Sequence, residues 1–164
     1  MILSLISTLL PGLSIFMAIV VQETAIPFAS WGILRPDLVI ICLFYWRMYR
    51  PDLCGPILAF GTGLLLDTLS TTPMGLNALS KIILVLLTGR YGKIFRALDF
   101  VLLIPVIGIF VIIDEAIQWV WIVMTSGFTF RWEVLVGRPL ATILIMPLMV
   151  RLLIFLHRSW LEAR

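Results

Sequence analysis

The sequence predicts an all-α integral membrane protein, a six-helix transmembrane bundle with a short second helix. Of its 164 residues, 62% are apolar and 13% are charged, with a mean hydropathy of +1.14. Soluble domains run at roughly 45–50% apolar. Glycines, prolines and charge clusters cut the apolar content into six runs. Most basic residues fall where those runs end, so the net charge of +3 reads as topology-setting and not as a nucleic-acid footprint. One compact polytopic domain over residues 1–164 accounts for the whole chain.

The first segment spans about residues 2–21, with Pro11 inside it. It lacks a basic n-region and an Ala-x-Ala site, which predicts a retained helix and not a cleaved signal. The second spans about 36–50 and opens on Pro36, a favoured first-turn residue. Its fifteen residues rise only ~22 Å against ~30 Å of hydrocarbon, so it tilts little, thins the bilayer or forms a half-helix. The third spans about 53–69 and the fourth about 76–88, joined by the turn Ser70-Thr71-Thr72-Pro73-Met74-Gly75. The cluster Gly89 to Asp99 reads as a connection. The fifth segment, about 100–124, is long enough to cross with tilt. The sixth, about 133–157, carries Pro147 as an expected kink.

Charge counting orients the chain. Arg47, Arg50, Arg90, Lys93, Arg96, Arg158 and Arg164 fall on one side, and Arg35 and Arg131 on the other. Seven against two predicts both termini in the cytoplasm. Trp31, Trp132 and Trp160 fall near the expected interfaces. Cys42 and Cys54 give neither a disulfide framework nor a metal spacing, and read as core.

Gly55, Ala59, Gly63 and Asp67 recur every four residues on one helical face. Small residues let helices approach closely in a membrane, within one chain or against a partner. Asp67 at the end of that face is costly in lipid and is expected to face protein. Lys81, at similar depth in the next segment, is the expected ion-pair partner; the alternative is that it snorkels outward alone. Asp114 and Glu115 sit near the middle of segment five, about 100° apart on the helix. Asp114 shares a polar stripe with Gln118 and Thr125, and Glu115 aligns with Trp119. They serve a proton, cation or substrate site, a partner-helix contact, or internal pairing with Arg138 early in segment six. His157 reads as an interface residue. No serine elbow, phosphate loop or metal-ligand spacing is present, and Gly61-Thr62-Gly63 reads as helix packing, so enzyme function and cofactors are not expected.

Several of these residues together resemble the MreD family of the bacterial rod-shape system. Arg35-Pro36 opens the second segment and Tyr45-Trp46 closes it. Gly63, Asp67, Gly75, Ala78 and Leu79 follow in order, then Asp114-Glu115, and finally Phe130-Arg131 with Glu133. The resemblance covers nearly the whole chain, although the basic N-terminal extension of better-known members is missing. It implies a non-enzymatic protein of the bacterial inner membrane. That protein binds MreC and links MreB filaments to RodA and its penicillin-binding transpeptidase. It also implies a fold like the membrane substrate-binding component of energy-coupling vitamin transporters.

Two roles follow. In a scaffold subunit, the Gly55, Ala59, Gly63 face packs a helix, and the basic connections meet acidic lipid or cytoplasmic proteins. In a binding or transport subunit, Asp67, Lys81, Asp114, Glu115 and Arg138 line an internal pocket for a small molecule or a lipid-linked precursor.

Overall fold

The structure, a computed structural model, describes residues 2–24, 35–70, 73–98, 100–126 and 132–161. Trp31, Phe130, Arg131 and Arg164 lie outside the described residues, as do the side chains of Thr125, Trp132, Glu133 and Trp160. The described part holds six helices: α1 (Ile2–Glu23), α2 (Leu38–Tyr49), α3 (Pro56–Leu69), α4 (Leu76–Ala97), α5 (Phe100–Ser126) and α6 (Trp132–Leu161).

Polarity is distributed as lipid demands. Leu13, Phe16, Ile57, Ile109, Leu144 and Leu148 face outward, whereas Asp37, Asp67, Lys81, Asp114 and Glu115 are buried. Apolar exposure on this scale suits hydrocarbon and not water. Leu102–Trp121 in α5 and Val136–Ser159 in α6 are long and apolar enough to cross a membrane.

The second helix is the core of the bundle. Every residue from Leu38 to Trp46 is buried, as is Met48. A helix apolar on all sides belongs in an interior, and α1, α4, α5 and α6 surround it. Its 12 residues rise only ~18 Å, less than the ~30 Å of hydrocarbon. Trp46 fixes it to α1, donating from Nε1 to Ser14 Oγ at 2.7 Å.

Two boundaries differ from expectation. The third helix starts at Pro56, because Leu53 and Cys54 both donate to the Arg50 carbonyl in a tight turn and Gly55 is the N-cap. The fourth continues to Ala97, through the supposed connection. Loss of apolarity marks departure from lipid and not the end of helical hydrogen bonding. Here Arg96 also donates to the Met48 carbonyl, and Gly89 lies against the Arg47 guanidinium.

Helices α3 and α4 form a hairpin of unusually close approach. A Cβ on Gly63 would run into the backbone of Asn77 and Ala78. Gly75, at φ 96°, sits in the left-handed region and turns the chain into α4. The small-residue face is therefore used internally at Ala59 and Gly63. Gly55 departs from it: nothing lies within 4 Å of a Cβ built there, and it is the N-cap that precedes the helix.

Candidate functional site

The short helix α2 begins beside the buried charges, and its free backbone donors must be satisfied there. Asp37 is its N-cap, with Oδ1 accepting from Ile40 N at 2.9 Å. Gln22 at the end of α1 accepts from Leu38 N at 2.9 Å and Val39 N at 3.3 Å. Asp37 N donates to Thr142 Oγ1 at 2.9 Å, and that hydroxyl donates to the Arg138 carbonyl at 2.8 Å.

Lys81 sits at the centre with no exposed surface. Its Nζ lies 2.9 Å from Asp37 Oδ2 and 2.9 Å from Asp114 Oδ1. Asp114 Oδ2 accepts from Gln118 Nε2 at 2.8 Å, and the same amide reaches Asn77 Oδ1 at 3.3 Å. Asn77 continues the chain to Asp67, donating from Nδ2 at 2.9 Å and from N at 3.0 Å, while Gly75 N donates to the other carboxylate oxygen at 2.8 Å. Glu115 turns towards α6 and meets Arg138 NH1 at 2.6 Å. At the edge, Arg35 holds Glu23 at 2.6 Å and the Gln22 carbonyl at 2.7 Å, and Ser70 donates to Glu23 at 2.9 Å. Every one of the six helices contributes a polar group.

The expected Asp67–Lys81 pair does not form, nor does Lys81 snorkel. Asp67 stands level with the first turn of α4, where it clasps the hairpin backbone. Lys81 lies one turn further along, ~6 Å, and turns inward to α2 and α5. The sequence motif Gly63, Asp67, Gly75, Ala78 is thus one clasp between α3 and α4, whereas Leu79 is 52% exposed and takes no part. Pro36 is buried before the Asp37 cap, and Tyr45 and Trp46 meet His157 in an aromatic cluster. His157 stacks on Trp46 with centroids 5.7 Å apart.

Sequence reasoning passed over Asp37, Gln22, Asn77 and Thr142 as site residues. For Asp37 a signal existed: an aspartate after proline, directly before an apolar run, is an N-cap signature. For the other three, pairing depends on interhelix register, which no local pattern carries.

Among the described residues, the Lys81 centre is closed. Lys81 is shared by two carboxylates, and the remaining oxygens take amide or backbone donors. Three apolar cavities of the described part lie elsewhere: between α1 and α3, between α1, α2 and α6, and among α2, α5 and α6. Among the described residues, no group of three or more His, Cys, Asp or Glu side chains could hold a metal ion.

A family model described as rod shape-determining protein MreD matches residues 4–156. No curated protein and no solved structure matches the chain. The expected likeness to vitamin-transporter components therefore finds no support among solved structures.

Proposed function

Because the chain belongs to the rod shape-determining MreD family, we propose that it is a non-enzymatic membrane scaffold that binds MreC and so links MreB to RodA and its penicillin-binding transpeptidase. The bundle lies in the bacterial cytoplasmic membrane, crosses it with six segments and keeps both termini inside. The observation that carries this reading is the closed polar centre. Six helices meet there, and Lys81, Asp37 and Asp114 satisfy one another with Lys81 sealed from solvent. Such a centre fixes helix positions, which a docking platform requires. Among the described residues Lys81 keeps no open side for a substrate, which a binding or transport subunit would need.

Topology agrees with the same reading. Arg96 on the Met48 carbonyl, Arg47 beside Gly89 and His157 on Trp46 gather the basic ends of α2, α4 and α6 at one end of the bundle. That end is the cytoplasmic one by the positive-inside rule.

Capture of MreC by the detergent-solubilised chain tests the proposal. The parent is expected to hold MreC through washing. A monodisperse, helical parent that captures none would overturn the scaffold and leave a ligand-binding subunit.

A further inference from the structure

A glycine on a lipid-exposed helix gives up helix propensity and side-chain contact, so it calls for a reason. Most described glycines have one. Gly75 is in the left-handed region, Gly63 meets the backbone of Asn77 and Ala78, Gly89 lies against Arg47 and Gly108 against Ile143. Gly12 in α1, Gly61 in α3 and Gly55 at the α3 cap have none: a Cβ at each would find nothing within 4 Å. All three line one apolar groove of about 580 Å³ between α1 and α3.

Both helices shape the groove. Gly12, Phe16 and Ile19 share one face of α1, and Ile57, Gly61 and Leu65 one face of α3. Ile15, Ile19 and Thr62 are buried and form its floor, while Phe16 and Ile57, 52% and 89% exposed, stand at its rims. An acyl chain fills a gap whatever its lining and gains nothing from a missing Cβ. A helix does gain, because its backbone can then come close. The volume is on the order of one helical turn with its side chains, and a groove between two helices seats one helix.

Charge selects which helix. Asp52, in the turn between α2 and α3, lines the groove at the end of the bundle that gathers Arg47, Arg50 and Arg96. Its side chain is 59% exposed and meets Arg50 at 3.2 Å, an exposed pair that holds weakly. By the positive-inside rule this end is cytoplasmic, and a partner helix carries its own Lys or Arg there. The surrounding cations repel such a flank, and Asp52 draws it to the groove. We infer that the α1–α3 groove seats the single membrane-spanning helix of a partner, its backbone close to Gly12 and Gly61 and its basic cytoplasmic flank on Asp52. The inference rests on the scaffold reading and deepens it by giving the partner its place.

Capture of full-length MreC in detergent, compared across variants of the full chain, tests the placement. Gly12→Leu with Gly61→Leu fills the groove from two open positions, so the fold should hold while capture falls about tenfold. Asp52→Lys should weaken capture more at low salt than at high salt. Benzoylphenylalanine in place of Ile57 should crosslink to MreC on illumination, and in place of Leu144, on the lipid face of α6, should not. Equal capture by a monodisperse, helical double variant would overturn the inference and leave the scaffold standing. Crosslinking from Leu144 and not from Ile57 would do the same. A parent that captures no MreC overturns the scaffold reading itself, and the inference with it. A double variant that keeps MreC but changes from dimer to monomer would assign the groove to a second copy instead.

Discussion

Lys81 Nζ lies 2.9 Å from Asp37 Oδ2, joining the interior of α4 to the cap of the short, buried helix α2. A helix of 12 residues surrounded by four others has no lipid-facing edge to set its depth. The ion pair and the Gln22 and Thr142 contacts set that depth.

Lys81→Met should therefore be among the most damaging single changes in the chain. It strands Asp37 and Asp114 as uncompensated buried charges, at a cost of about 3–5 kcal/mol. Adding Asp37→Asn and Asp114→Asn removes those charges and should recover most of the loss. Thermal unfolding in detergent, followed by circular dichroism, reads both effects. A triple variant no more stable than Lys81→Met would show that charge compensation is not what the lysine supplies.

Glycine positions separate packing from open space. Gly63→Ala should destabilise by about 1–3 kcal/mol, because the added methyl meets the backbone of Asn77 and Ala78, which cannot rotate away. Gly55→Ala should stay within about 0.5 kcal/mol, since nothing lies within 4 Å. Equal effects at both positions in the same unfolding assay would contradict the close α3–α4 approach.

The hairpin clasp gives a third expectation. Asp67→Ala removes the acceptor of Gly75 N, Asn77 N and Asn77 Nδ2 and should cost about 1–3 kcal/mol. Hydrogen exchange should rise first at Gly75 to Asn77 and not at the start of α2. Early exchange at Ile40 instead would mean that Asp67 acts on the Lys81 centre.

Much of this was legible. The six runs, the brevity of the second and the membrane class follow from composition and spacing. Asp67, Lys81, Asp114, Glu115 and Arg138 stand out because charges inside apolar runs are costly. Their pairing was not legible. Segment positions match Asp67 and Lys81 in depth, yet a single turn of α4 separates the hairpin clasp from the central lysine. Asp37 was passed over, yet it is both the cap of α2 and the counter-ion of Lys81. The length of α4 was hidden because hydropathy reports lipid contact, and Gly89 to Arg96 stay helical beyond it.

Glu115 and Arg138 form the outer, weaker link. The Arg138 side chain is 23% exposed, whereas Lys81 has no exposed surface. A double-mutant cycle with Glu115→Gln and Arg138→Gln should give a coupling of about 1 kcal/mol, well below that of the Lys81 set. A coupling as large as that of Lys81 with Asp37 would place the pair in the sealed core.

The deciding measurement is rod-shape complementation and MreC capture by the neutral triple variant, Lys81→Met with Asp37→Asn and Asp114→Asn, in cells lacking their own copy. If these charges serve only to set the framework, the folded variant restores rod shape and holds MreC as the parent does. A variant that is inserted and stable, yet leaves cells round or releases MreC, would mean that the buried charges act on a ligand or partner themselves.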